Sequence, residues 1–436
     1  MRLGLFALTA LLAFSSARAD PGAPFAQGWF DAAVTNRVAW DFQGWACAGG
    51  AGQTRQSISI VLAFGGAGSG EPTQELDSAT EMRPDAASAC AGDPMVGWYG
   101  RRFAATPSLP VYAYAKSLTA SPGALQPLGG SPITPRVWHD DIVWRNVATG
   151  DVYKQLMNRF EIVTGRFIYN EPSLAWKIVG RGDDDGDSTR DLLWRNDTTG
   201  DVFMQLTSAF RVLSGQLIYN EPSPAWQIAG SGDYNGDGKA DILWHNSSTG
   251  QVFVHLMNGT VIIAGQHLYM EPSTDWEIMG SGDYNGDGRS DILRRNRVTG
   301  QVALKLVGGS NGALFVADKV VLTWPDLEWK IVGSGDYSGD GMADILWRNE
   351  HSGTVFLHLL WGGAVTAGQA IFAEPNPYWK IVNTSADYNG DNKRDVLWYH
   401  EQGGQVFMQL LDGLNQPEGQ IVYVEPDLNW QIVPMR

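Results

Sequence analysis

Five nine-residue segments of this chain, beginning at Asp183, Asp233, Asp283, Asp336 and Asp387, crowd acidic side chains around glycines or small polar residues. The second reads Asp233-Tyr234-Asn235-Gly236-Asp237-Gly238-Lys239-Ala240-Asp241, with oxygen side chains at positions 1, 3, 5 and 9. Two glycines between them let the backbone fold tightly, and hard oxygen donors at that spacing can surround a hard cation such as Ca²⁺. Asp/Gly turns between strands also occur without metal. Up to four carboxylates crowded into one turn repel one another, however, and five such turns call for a cation.

Each segment leads straight into a short apolar strand. Six Asp-apolar-apolar strands start at Asp141, Asp191, Asp241, Asp291, Asp344 and Asp395, and six Trp-x-Ile strands start at Trp176, Trp226, Trp276, Trp329, Trp379 and Trp430. Successive Asp strands are 50 to 53 residues apart, and repeats of about 40 to 50 residues with about four short strands each are the signature of propeller blades. One unit reads as Trp226 to Gly230, the acidic loop, Asp241 to Asn246, a Thr249-Gly250 turn, alternating Gln251 to Met257, then Val261 to Tyr269. Glu271-Pro272 ends that last strand, since Pro cannot continue a ladder.

The ends of the array carry information. The first Asp strand, at Asp141, has no acidic loop before it, and the last Trp strand, at Trp430, has none after it. These are two halves of one blade. Six strand sets with five loops predict a closed six-bladed ring whose chain ends meet where the sixth loop would lie, and closure removes the exposed sheet edges.

An EF-hand also begins Asp-x-Asn-x-Asp-Gly, but it needs a bidentate Glu at position 12 and flanking helices. Position 12 of the second copy is Trp244, inside an apolar strand. Asp241 at position 9 is then the direct ligand, with the Lys239 carbonyl available at position 7.

This arrangement resembles the FG-GAP repeat, also called the VCBS-type repeat, of integrin α-chain propellers and many secreted bacterial proteins. The resemblance spans residues 176 to 395 for the loops and about 141 to 436 for the blades. It implies Ca²⁺ ligands Asp183, Asp185, Asp187 and Asp191 in the first loop and Asp233, Asn235, Asp237 and Asp241 in the second. The third would use Asp283, Asn285, Asp287 and Asp291, the fourth Asp336, Ser338, Asp340 and Asp344, and the fifth Asp387, Asn389, Asp391 and Asp395. Ser188 and Asn392 stand where other loops have glycine, and Ser338 replaces a stronger donor, so the second and third loops are expected to bind best. Extracellular modules bind Ca²⁺ with Kd of roughly 10⁻⁴ to 10⁻³ M, so about 1 mM Ca²⁺ contributes at most ~1.4 kcal/mol per site. Five independent sites could reach ~7 kcal/mol, comparable to the net stability of a domain, which points to a structural metal.

Other residues recur with the blades. Trp144, Trp194, Trp244, Trp347 and Trp398 form one column, with Arg294 in the odd blade. They read either as sugar-stacking platforms or as packing between blades, packing being favoured because propeller sheets are covered on both faces. The pairs Arg145-Asn146, Arg195-Asn196, His245-Asn246, Arg295-Asn296 and Arg348-Asn349 could meet ligand hydroxyls or satisfy turn backbone. The Glu-Pro turns at Glu171, Glu221, Glu271, Glu374 and Glu425 repeat, whereas catalysis needs one asymmetric constellation. No Gly-x-Ser-x-Gly, His-Glu-x-x-His or phosphate-binding glycine motif occurs, and no catalytic residue is assigned. The fourth unit is irregular, with Arg294, Ala303, an insertion around Gly308 to Gly312, and Trp324-Pro325 in place of Glu-Pro.

The rest of the chain sets the context. Arg2, an apolar run from Leu3 to Phe14 and Ala17-Arg18-Ala19 read as a secretory signal peptide over residues 1–19, with a soluble, secreted product. That run is too short to span a bilayer. Residues 20–122 lack the repeat, and strand candidates Ser57 to Phe64 and Leu109 to Lys116 suggest a small β-sandwich. Gly44-Trp45-Ala46-Cys47, Ala89-Cys90-Ala91-Gly92 and Val111 to Ala115 resemble an accessory module of secreted bacterial proteins, which implies an accessory role. Cys47 and Cys90 are the two cysteines, and in an oxidising compartment they most simply form one disulfide, the alternative being two buried free thiols. Residues 123–135 read as a Pro/Gly linker, and 136–436 as the propeller.

The net charge of −16 argues against nucleic acid or an anionic membrane as partner, and much of it lies in the metal loops. The expected fold is therefore all-β, a six-bladed propeller preceded by a β-sandwich. The expected function is a secreted, monomeric, non-enzymatic Ca²⁺-binding protein for recognition or adhesion, with a protein or glycan ligand. The alternatives are a lectin with sugar sites between blades and a part of a polysaccharide-acting enzyme.

Overall fold

The near-continuous apolar runs of the Asp strands are explained by what covers their two faces. In the computed structural model, Asp241–Asn246 sends Ile242 and Trp244 toward the preceding blade, where they pack with Leu193, Val202 and Met204. Leu243 points the other way, to a cluster with Val252, Val254 and Ile292 of the next blade. Both faces of the sheet are buried, so alternation runs between two apolar interfaces instead of between core and water.

The structure describes residues 138–434 except 210, 272 and 309–313, with 314–316 described by backbone alone, together with the backbone of earlier strands between 26 and 137. The described elements are strands. The unit read from sequence as one blade is a four-stranded antiparallel sheet of Trp226–Gly232, Asp241–Asn246, Gln251–Asn258 and Val261–Met270. Numbering from the first Asp strand, this is blade 3. Blades 2, 4, 5 and 6 repeat its order, starting at Trp176, Trp276, Trp329 and Trp379.

Blade 1 combines the two ends of the array. Asp140–Asn146, Asp151–Asn158 and Glu161–Asn170 are joined by Trp430–Ile432, with Trp430 opposite Asn146 and Ile432 opposite Trp144. Bonds from Val433 N to Val143 O (2.8 Å) and Val147 N to Asn429 O (2.8 Å) extend the join. Each blade also packs on the next, and Ile142, Trp144 and Met157 of blade 1 share a cluster with Ala386, Tyr388 and Leu397 of blade 6. The ring of six blades is closed, as the six strand sets and five loops require.

Turns are set by a few residues. After five of the six Asp strands an Asn carbonyl oxygen accepts two turn amides, as Asn246 does from Ser248 N and Thr249 N at 3.0 Å, while in blade 6 His400 Nδ1 accepts Gly403 N at 2.9 Å. Gly200 follows such a turn at φ 76°, where a Cβ would stand 2.0 Å from the Glu221 carbonyl oxygen.

Ahead of the ring, the backbone shows Ile58–Phe64 between Gln74–Asp77 and Val111–Ser117, so both strand candidates form and are neighbours. Leu125–Pro127, within the stretch read as linker, pairs with Val111–Ser117. The signal peptide and Cys90 lie outside the described residues, as does the side chain of Cys47.

Candidate metal centres in the acidic loops

Each acidic loop is held by its own carboxylates. Asp233 Oδ1 accepts Gly236 N (2.6 Å) and Asp237 N (3.1 Å), and its Oδ2 accepts Gly238 N (2.8 Å). Asn235 Oδ1 accepts Asp237 N at 2.8 Å, and Asp237 Oδ1 accepts Lys239 N at 3.0 Å. This wraps the chain around the position-1 carboxylate and turns the oxygens of positions 1, 3 and 5 together. In the first loop, ligand oxygens of Asp183, Asp185 and Asp187 lie within 4.8 Å of one another.

The position-9 aspartate ties the loop to the blade. Asp241 is fully buried, with Oδ2 accepting Tyr234 N (2.9 Å) at loop position 2 and Oδ1 accepting Met257 N (2.8 Å) of the third strand. The same pair of bonds holds Asp191, Asp291, Asp344 and Asp395. A carboxylate has about four lone-pair sites, so these bonds leave acceptor capacity free. Burial, with smaller contributions from the loop's other carboxylates, pushes the pKa to about 9 at Asp191, about 8 at Asp395 and about 7 at Asp241, Asp291 and Asp344. Five buried carboxyl groups thus lack a compensating positive charge.

The sixth position is the control that the fold itself supplies. Asp141 occupies the position-9 place in blade 1, where no acidic loop exists, and it is equally buried. Lys154 Nζ lies 2.9 Å from it, and the Arg181 guanidinium pairs with its other oxygen. Burial alone would raise its pKa, but the pull of Arg181 and Lys154 overrides burial and holds it below the ordinary value. In blades 2 to 6 the column of Lys154 is Met204, Val254, Leu304, Leu357 and Met408, and in blades 3 to 6 that of Arg181 is serine or threonine. Among the described residues a protein cation pairs with this aspartate only in the blade that lacks an acidic loop, so the donor sets of the five loops fit a hard cation.

The loops are also chained. Ala240 N donates to Asp183 O (2.8 Å), Ser290 N to Asp233 O (2.6 Å), Ala343 N to Asp283 O (2.6 Å) and Arg394 N to Asp336 O (2.8 Å). Tyr234, Tyr284, Tyr337 and Tyr388 at position 2 are fully buried, and Tyr337 Oη donates to Thr384 O of the next blade at 3.1 Å. In the first loop Asp184 takes that buried place, and burial raises its pKa well above the ordinary value. Sequence reasoning did not single out these tyrosines, Lys154 or Arg181, although both cations break their columns.

The other recurring residues serve the ring. Trp144, Trp194, Trp244, Trp347 and Trp398 are at most 2 % exposed, so packing, and not a ring of sugar platforms, is their role. Arg145 lies over Trp194 of the next blade (4.7 Å) and donates to Glu171 O at 3.2 Å, with Arg195, Arg295 and Arg348 arranged likewise.

Residues 233–294 and 336–417 match the model of the FG-GAP-like repeat. No curated protein matches the chain in sequence. Among solved structures, a chain of a nidogen/laminin complex is similar at 11% identity and TM-score 0.42, covering 67% of this chain and 96% of that one. A quinonprotein alcohol dehydrogenase-like protein from Bacteroides thetaiotaomicron aligns at 9% identity and TM-score 0.37, covering 91% and 94%. A putative dipeptidyl aminopeptidase IV from Bacteroides ovatus aligns at 8% identity and TM-score 0.34, covering 90% of this chain and 60% of that chain.

Proposed function

The chain is a six-bladed β-propeller of FG-GAP-like repeats, and from that premise we propose that it is a secreted, calcium-stabilised, non-catalytic recognition protein for a protein or glycan ligand. One observation carries the calcium reading: among the described residues the buried aspartate that opens the second strand has a protein cation at the one blade without an acidic loop and none at the five blades with one. The ion would be held by positions 1, 3, 5 and 9 of each loop, from Asp183, Asp185, Asp187 and Asp191 through to Asp387, Asn389, Asp391 and Asp395. Bound Ca²⁺ supplies neutralising charge there. Sites of this class fill near 1 mM, which agrees with an extracellular place of action.

A non-catalytic role is supported by what the repeated polar residues do. The turn Asn of five blades, the Arg stacked on the next Trp and the position-9 Asp are all engaged in holding the ring. The buried tryptophan column argues against the lectin alternative that would use it.

Metal analysis combined with thermal unfolding tests the reading. Chelation should remove up to five Ca²⁺ per chain and lower the melting temperature by on the order of 10 °C. Asp237→Ala, at an exposed loop position, should remove one equivalent while leaving the ring folded. An unchanged melting temperature after verified metal removal sinks the calcium proposal, and a glycan and matrix-protein screen with and without calcium tests recognition.

A further inference from the structure

The inner strands of the blades surround an axial cavity of about 790 Å³. Two positions of each loop-bearing blade reach it: the fifth residue after the opening tryptophan, and the residue before the position-9 aspartate. At the first, four blades carry Ser231, Ser281, Ser334 and Thr384. At the second, three carry Ala240, Ser290 and Ala343. The exceptions are arginines, and all stand beside the seam: Arg181 and Arg190 from blade 2 and Arg394 from blade 6.

Positive charge gathers on that wall, although the lining as a whole sets Arg181, Arg190, Lys239 and Arg394 against Asp183, Asp233, Asp283 and Asp336. Arg181 and Lys154 share Asp141, while Arg190 lies 3.3 Å from Asp140 and donates to Ser385 O at 2.9 Å. Arg394 adds a third guanidinium to this wall, and the carboxylates that act on it at longer range are Asp140, Asp387 and Asp336. The Arg394 guanidinium makes no hydrogen bond or ion pair among the described residues, and Arg181, 2 % exposed, leaves Nε and Nη1 without a partner. The aspartates that border the cavity do not cancel this charge by contact, because the carboxylates of Asp183, Asp233, Asp283 and Asp336 accept amides of their own loops.

A guanidinium fork matches the two oxygens of a carboxylate or similar oxyanion. Serine and threonine hydroxyls along the rest of the wall can donate to and accept from ligand hydroxyls. The volume lies within the range of small-molecule sites, about 300 to 1,000 Å³. We infer that the axial cavity binds a small polyhydroxylated carboxylate, with Arg394 engaging the carboxylate at the seam wall and the serine positions engaging the hydroxyls.

Calorimetric titration of the full chain tests this with D-glucuronate, with D-glucose as its neutral counterpart, and with sulfate. Glucuronate should bind at least tenfold more tightly than glucose. Arg394→Ala should lose at least tenfold in glucuronate affinity with an unchanged melting temperature, since blades 3 and 5 themselves carry alanine there. Arg394→Lys, which keeps charge but loses the fork, should fall between. Absence of glucuronate binding, equal binding of glucose, sulfate binding alone as an adventitious ion only, or full affinity in a folded Arg394→Ala would each overturn the inference. If Arg394→Ala does not fold, the glucuronate and glucose comparison on the unsubstituted chain decides.

Discussion

At position 6 of the acidic loops, one backbone angle separates the residues that fit from those that are strained. Gly238, Gly288 and Gly341 have φ of 83°, 81° and 87°, and a Cβ there would meet nothing within 4 Å. The demand for glycine is therefore conformational and not one of space. The amide of this residue donates to the position-1 carboxylate at 2.8 to 2.9 Å in all five loops, which fixes the left-handed conformation whatever the side chain. Ser188 and Asn392 are held at φ 68° and 67°, and asparagine tolerates that region better than serine. Ser188→Gly should raise stability by about 1 kcal/mol and Asn392→Gly by less, read from the denaturant midpoint. The sequence marked both residues as departures from the loop pattern. It could not show that their cost is backbone strain, because the amide that enforces it is visible only once the loop is closed.

At the scale of the element, blade 4 replaces one packing scheme by another. Arg294 stands in the tryptophan column, Ala303 in that of the third-strand aromatics, Lys305 where other blades have Gln or His, and Asp318 where they have glycine. Arg294 lies 4.3 Å over Trp276, and it pairs with buried Glu271 at 2.7 Å and with Asp318. Lys305 reaches Asp318 at 2.8 Å and lies 4.4 Å over Tyr269. Four charges sum to zero in a place that elsewhere holds an indole, a ring and a bare backbone, so the irregularities read singly from sequence are one coupled replacement. Removing one partner of a buried pair is costly, so Arg294→Met should destabilise by about 3 kcal/mol. The double variant Arg294→Met/Asp318→Gly should cost less than the sum of the single changes, with a coupling of about 1 kcal/mol or more. Additive midpoints in a double-mutant cycle would show that the two residues do not act together. The columns were legible because the blade period aligns them. The ion pairs were not, since Arg294 lies 23 residues from Glu271 and 24 from Asp318, and only the sheet brings them together.

For the whole molecule, the count of strand sets and loops was enough to give a closed ring, because each blade must bury both its faces and the two half-blades complete each other. What closes the seam electrostatically was hidden, since Arg181 meets Asp141 across 40 residues and two blades. The difference between that seam and the five loops fixes the sign of a pH dependence. In metal-free protein the position-9 aspartates have folded pKa values raised to about 7 to 9, against about 3.9 unfolded. Between these values the folded state binds more protons than the unfolded state, so stability is fully present below about pH 4 and falls as pH rises toward 9. Asp141 contributes oppositely, its lowered pKa adding stability that is lost only in acid. With Ca²⁺ bound, on the calcium proposal, the five loops change sign too, because ligands must be deprotonated and affinity rises with pH. Melting temperatures in chelator should therefore decline from pH 5 to pH 8 while those in about 1 mM Ca²⁺ rise or hold, so that the gap between the two curves widens with pH. Parallel curves would mean that the five buried carboxyl groups do not see the metal, and the ring would have to be held by its packed blades and its seam alone.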